Sequence, residues 1–289
     1  MLKKINIPLT VPKNKKDLFM QNYKKATKNS DKLFLFAGDQ KIEHLNKDFY
    51  GPDIAKEDND PKHMFQIASK SPIGVFATQL GLIAQYGSNF KNINYIIKLN
   101  SKTDLVSVKQ SEPISSLLNN IDDVIKFKKD SNLPILGIGY TIYLGSEHES
   151  QMLSEASKII FQAHQNGLLT ILWMYPRGKA VKNDHDANLI AGATGVASSL
   201  GADFVKINPP KEKTSLQSAQ KLKIATTAAG KTKVICSGGT KKDEKEFLQE
   251  LSQQIKIGKT FGCAVGRNIH QRSLKNAIKF CEKIVKIIF

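Results

Sequence analysis

A chain of 289 residues with 40% hydrophobic and 24% charged side chains is not disordered, and at this length it buries a core without staples. Its three cysteines, Cys236, Cys263 and Cys281, form no C-x-x-C pair, which argues against a zinc ribbon and for a reducing compartment. The formal net charge of +17 invites a nucleic-acid reading, but of 43 basic residues only Arg177, Arg267 and Arg272 are arginine. Scattered lysines without aromatic interleaving fit a solvated surface with non-specific attraction to polyanions better than a specific nucleic-acid partner.

The opening residues, Met1 to Pro8, lack the apolar core of a secretory signal. No apolar run reaches the ~20 residues a membrane span requires. A soluble, cytoplasmic protein without a membrane partner is therefore expected. Residues 1–31 read as an N-terminal extension covering the bottom of the next unit or an interface. Residues 32–289 read as that unit.

Eight short apolar runs follow, each long enough for a buried strand: Leu33 to Asp39, Ile73 to Gln79, Tyr95 to Asn100, Ile135 to Tyr143, Leu168 to Pro176, Ala202 to Asn208, Lys233 to Ser237 and Phe261 to Gly266. Amphipathic stretches of helical length lie between most of them. Ser150 to Asn166, Asp243 to Ile255 and Ser273 to Ile288 show the clearest apolar stripes. Pro113 interrupts any long helix between Ser101 and Leu133. The polar stretch Lys41 to Lys62 reads as a long first loop, not a linker. Strands alternating with helices imply a parallel sheet, and eight of them favour a single-domain α/β fold, the (β/α)8 TIM barrel. No Gly-x-Gly-x-x-Gly follows the first strand, which counts against a dinucleotide-binding sheet.

In such a barrel, chemistry sits at the C-terminal ends of the strands. The sixth strand places Lys206 among apolar residues, where desolvation frees an amine to attack a carbonyl and form a Schiff base. Lys98, on the third strand, has the same setting and competes for the role. Either lysine can instead be a structural residue paired with a carboxylate. On the fifth strand Trp173 and Tyr175 share a face. Trp173 suits the core equally well, whereas Tyr175, next to Pro176, suits the mouth and a proton shuttle. Ser237, Gly238 and Gly239 end the seventh strand, and Gly266 and Arg267 end the eighth. There, loop amides and a guanidinium can grip a phosphate, and Arg177 suggests a second anionic group. Asp39, Glu43 and His44 at the end of the first strand can orient hydroxyls. Neither they nor Asp184, His185 and Asp186 form a ligand set at metal spacing, so no metal and no cofactor are expected.

These segments together resemble the archaeal-type class I fructose-bisphosphate aldolases of the DeoC/FbaB superfamily. The resemblance is carried by Phe36 to His44, Gly139 to Ser146, Trp173 to Gly178, Ala202 to Lys206, Ser237 to Gly239 and Val265 to Asn268, in family order over most of the chain. It implies that Lys206 forms the Schiff base and Tyr175 is the general acid/base, with Asp39 and Trp173 positioning substrate. It further implies one phosphate on Ser237, Gly238, Gly239, Gly266 and Arg267, Arg177 toward the other end of the sugar, and Lys98 as an auxiliary mouth residue. The partners implied are sugar phosphates and copies of the same chain, as a pentamer or decamer. Two positions depart from the family pattern: Lys41 and Leu45 stand where glycine is usual.

The expected reaction is reversible, metal-independent cleavage of fructose 1,6-bisphosphate to glycerone phosphate and glyceraldehyde 3-phosphate, in glycolysis or gluconeogenesis. The alternatives are a related Schiff-base enzyme on another phosphorylated ketose, such as one making 2-amino-3,7-dideoxyheptulosonate, and a non-catalytic protein that binds sugar phosphates or polyanions.

Overall fold

The computed structural model describes residues 5–44, 48–105 and 112–289. Eight strands close into a barrel: β1 (Leu33–Ala37), β2 (Val75–Thr78), β3 (Tyr95–Lys98), β4 (Ile135–Leu144), β5 (Leu169–Pro176), β6 (Phe204–Ile207), β7 (Lys233–Ser237) and β8 (Gly262–Val265). Each pairs in parallel with its neighbours in chain order, and β1 pairs with β8 to complete the ring. The fold is a single-domain (β/α)8 barrel, and all eight apolar runs are its strands. Most strands stop short of the runs that announced them. Asp39, Gln79, Asn208 and Gly266 bend out of the ladder into the loops at the mouth.

The helices are α1 (Lys16–Ala26), α2 (Gln40–Glu43), α3 (Lys62–Lys70), α4 (Leu80–Tyr86), α5 (Ile121–Ser131), α6 (Glu149–Gln165), α7 (Ala187–Leu200), α8 (Ser215–Ala228), α9 (Glu244–Lys256), α10 (Arg267–His270) and α11 (Leu274–Ile288). The start signals are local. Asp186 caps α7 and Asp243 caps α9 through their carboxylates, and Asn120 and Asp123 form a capping box on α5. Between Ser101 and Leu133 the chain forms more than the sequence shows. Asn100–Ser101 and Ser116–Leu117 pair as a short antiparallel ladder before α5 begins. Two-residue strands carry no periodicity to read.

Alternation along each strand divides the apolar residues into two sets. Phe34, Phe36, Phe76, Ile97 and Leu172 face outward and pack under the helices. Leu33, Leu35, Val75, Ile96, Ile171, Trp173, Phe204 and Ile235 fill the interior. That interior set includes Phe19 and Tyr23 from α1, and Tyr23 stacks on Phe204 at 5.7 Å. Helix α1 thus seals the end of the barrel opposite the mouth. The buried His164 ring faces Asp203 at 3.2 Å, and Thr170 donates to the same carboxylate through its N–H and hydroxyl. Thr170 and Asp203 lie at the N-terminal ends of β5 and β6, away from the mouth, and the cluster serves the fold. Trp173 is the largest side chain in the interior, and its room comes from β4: a Cβ on Gly139 would collide with the indole ring. Among the described residues no helix is long and apolar enough to cross a membrane.

Candidate active site

The mouth of the barrel opens into a cavity of about 620 Å³. Its lining includes Asp39, Gln40, Glu43 and His44 after β1, Tyr143 on β4, Tyr175 and Arg177 at the end of β5, Lys206 and Asn208 on and after β6, Ser237 to Thr240 after β7, and Gly266 and Arg267 after β8. Of the catalytic and substrate-binding residues expected from the sequence, Trp173 and Lys98 do not line it. They lie in the layer beneath, each fully buried.

The two lysines differ in what they touch. Register sets Trp173 beside Lys206 on β6 and sets Lys98 beside Gly139 on β4. Both amines approach the indole, Lys206 Nζ at 5.2 Å from the ring centroid and Lys98 Nζ at 5.6 Å. Lys98 is committed: its Nζ donates to Glu43 Oε1 at 3.0 Å, to the Asn100 carbonyl at 2.6 Å and to Asn100 Oδ1 at 3.2 Å. Lys206, only 5% exposed, has no ion pair or hydrogen bond to its amine among the described residues. Burial lowers its pKa from the ordinary lysine value, and the cation of Arg267 adds to that. The carboxylates of Asp39 and Glu43 act against it.

Tyr175 lies 6.0 Å from the Lys206 amine, measured to the ring centroid. Its phenol is pushed well above the usual tyrosine value, first by burial and then by the nearby charges of Asp39 and Glu43. It therefore carries its proton at neutral pH. Tyr143 stacks against it at 6.4 Å, and the Arg177 guanidinium lies over both rings, 5.4 Å from Tyr175 and 5.9 Å from Tyr143. Asp39 is 1% exposed, and neither of its carboxylate oxygens has a partner among the described residues. An unpartnered buried carboxylate carries a large desolvation cost, which a ligand hydroxyl or cation relieves.

On the far wall, Ser237 Oγ donates to Asn208 Oδ1 at 2.6 Å, and Asn268 Nδ2 holds the carbonyls of Gly238 and Thr240 at 2.9 Å each. The loop turns at Gly239 with φ +67°. Gly266 lies against the Gln40 side-chain amide, so the β8 loop packs closely on the β1 loop, and a Cβ there would push that amide aside. Arg267 stands 3.7 Å from Asp48, which also meets His44 Nδ1 at 2.6 Å. Lys41, where the family pattern has glycine, is pinned: its Nζ donates to the Asn59 carbonyl at 2.9 Å and sits 4.0 Å from the centroid of the Phe49 ring. Leu45 lies outside the described residues. His185 stands just before α7 at the rim, its Nδ1 donating to the Pro209 carbonyl at 2.9 Å.

A lone amine, a phenol and an unpartnered carboxylate around one cavity at the C-terminal mouth of a barrel match carbonyl chemistry, and the model of the DeoC/LacD family aldolases matches residues 33–272. The chain belongs to the DeoC/LacD family of aldolases. A relative from Methanocaldococcus jannaschii is 52% identical over 283 residues, covering 98% of this chain and 90% of its own. It is named a fructose-bisphosphate aldolase/6-deoxy-5-ketofructose 1-phosphate synthase. The structure of a fructose-bisphosphate aldolase from Slackia heliotrinireducens superposes with a TM-score of 0.95 at 47% identity, covering 99% of this chain and 90% of that one. An archaeal fructose-1,6-bisphosphate aldolase, solved with its catalytic lysine bound to a carbinolamine intermediate, superposes at 0.79 with 28% identity, covering 93% and 99% of the two chains. As an aldolase of this family the protein is a lyase.

Asn208, Tyr143 and Asp48 were not legible as site residues. Asn208 and Tyr143 end apolar runs of the sequence as a core or turn residue would, and Asp48 sits in a polar loop with no pattern.

Proposed function

We propose that the protein is a class I, Schiff-base aldolase that reversibly cleaves fructose 1,6-bisphosphate to glycerone phosphate and glyceraldehyde 3-phosphate. The observation that carries this reading is the unpaired Lys206 amine at the cavity wall, beside a lysine that is fully engaged. Lys206 Nζ adds to the C2 carbonyl of the ketose to give a carbinolamine. The Tyr175 phenol donates its proton to the departing hydroxyl, which leaves as water, and an iminium remains. The Tyr175 phenolate then takes the C4 hydroxyl proton as the C3–C4 bond breaks. The bonding electrons pass into the iminium to form an enamine, and glyceraldehyde 3-phosphate leaves. Return of the same proton to C3 gives a new iminium. Water adds to it, its proton passing to the phenolate, and collapse of that carbinolamine releases glycerone phosphate and the free amine. Ser237, Gly238, Gly239, Gly266 and Arg267 are suited to one phosphate, and Arg177 to the other. Asp39 is suited to the substrate hydroxyls, and Trp173 to shaping the floor under Lys206.

Borohydride reduction in the presence of glycerone phosphate is expected to fix one adduct mass on Lys206, and Lys206→Met is expected to abolish both labelling and cleavage. No label on Lys206, or activity lost to chelator, would overturn the reading. A second reading shares the enamine and changes the aldehyde it captures. The double name of the Methanocaldococcus jannaschii relative favours it. A panel of aldehyde acceptors with fructose 1,6-bisphosphate as donor separates the two.

A further inference from the structure

The steps above use Lys206, Tyr175 and Asp39, and they leave a second lysine buried inside the barrel without a task. A buried ammonium is costly unless its protons are engaged, and those of Lys98 are, on Glu43 Oε1, the Asn100 carbonyl and Asn100 Oδ1. Asn100 is itself bolted in place, its Nδ2 donating to the carbonyls of Ser115 at 2.9 Å and Thr141 at 2.8 Å. The anchored partner, Glu43, is the last residue of α2, and Asp39 is that helix's N-cap.

At an N-cap a carboxylate ordinarily accepts the N–H of the second or third helical residue. The Asp39 side chain makes no such bond, and both its oxygens are left without a partner although the residue is buried. A helix of four residues does not hold its own position. Its contacts hold it: Gln40 lies against Gly266, Lys41 donates to the Asn59 carbonyl, and at the last residue Glu43 accepts from Lys98 at 3.0 Å and from the Ser101 hydroxyl at 3.3 Å.

We propose that Lys98 and Glu43 are positioning residues, a clamp that fixes α2 so that Asp39 presents its carboxylate to the cavity beside Lys206 instead of capping the helix. The proposal rests on the Schiff-base reading of Lys206, and it gives Lys98 a role that acts through Glu43 without contact to substrate. Two facts agree with it. Lys98 does not reach the cavity surface. Asp39 is also the foremost anionic influence on both Lys206 and Tyr175.

The test uses the whole protein as wild type, Glu43→Gln, Lys98→Met and the double variant. Labelling with glycerone phosphate and borohydride comes first. An adduct on Lys98 in the wild type overturns the Lys206 reading and the clamp with it. With the adduct on Lys206, Glu43→Gln is expected to lower kcat about 10–100-fold while KM for fructose 1,6-bisphosphate stays within about threefold, the pattern of a misplaced reacting group. The glutamine keeps an acceptor for Lys98, so this variant reports on the clamp even where Lys98→Met fails to fold. The double variant is expected to be no slower than the worse single one, because the two residues act as one unit. A kcat unchanged in Glu43→Gln, a rise in KM alone, or multiplying losses in the double variant would each refute the clamp and leave the Lys206 reading standing.

Discussion

Replacing Tyr175 with phenylalanine removes one oxygen and leaves the ring where it is. The ring's contacts, 6.4 Å to Tyr143 and 5.4 Å to the Arg177 guanidinium, do not depend on the hydroxyl. That hydroxyl has no hydrogen bond within the protein among the described residues, so no buried partner is orphaned. Stability is therefore expected to change by less than about 0.5 kcal/mol, the range of substitutions that break no buried interaction. Catalysis is expected to change far more. A positioned proton carrier contributes roughly 10²–10⁴-fold, equivalent to about 3–5 kcal/mol of barrier at 1.36 kcal/mol per tenfold. The assay is fructose 1,6-bisphosphate cleavage coupled to oxidation of the released triose phosphate, beside urea unfolding of both proteins. The loss should appear in kcat, and borohydride should still trap Lys206 but more slowly, because the amine remains while dehydration of the carbinolamine has lost its proton donor. A variant that cleaves within fivefold of wild type would refute the assignment of Tyr175. One that loses more than about 2 kcal/mol of stability would show the hydroxyl to be structural.

Arg267→Lys keeps the charge and loses the two-pronged grip, so KM for phosphorylated substrate should rise about 10–100-fold with kcat changed far less. A KM unchanged in steady-state kinetics would remove Arg267 from the phosphate site. Gly139→Ala should destabilise the fold by about 1–3 kcal/mol, because the new methyl meets the Trp173 ring in a packed interior; an unchanged urea midpoint would count against that packing. The pH dependence follows from Lys206. Its pKa lies below the ordinary lysine value, so kcat/KM should climb with pH through a pKa lower than that of a free lysine. The same shift has a sign for stability. Between the folded and unfolded pKa values the unfolded chain binds the extra proton, so stability rises with pH over that window through this group. Lys206→Met should lose that part of the slope in pH-dependent unfolding.

The sequence carries the barrel because a strand buried on both faces reads as an uninterrupted apolar run, and each polar residue that ends a run marks a loop at the mouth. It also carries much of the cavity lining, since Tyr175, Arg177, Lys206, Ser237 and Arg267 all lie at or just after strand ends, and in this fold strand ends converge. Pairing is different. Glu43 and Lys98 are 55 residues apart, and nothing local announces that they meet. The two lysines look alike along the chain, each in an apolar strand with the same alternation. Closure of the barrel set one against a carboxylate and two oxygens of Asn100, and left the other facing open space. A residue's type and period are local properties, so they are written in the chain. Which of two amines stays unpaired depends on what arrives from the neighbouring strands, and only the folded barrel brings those groups together.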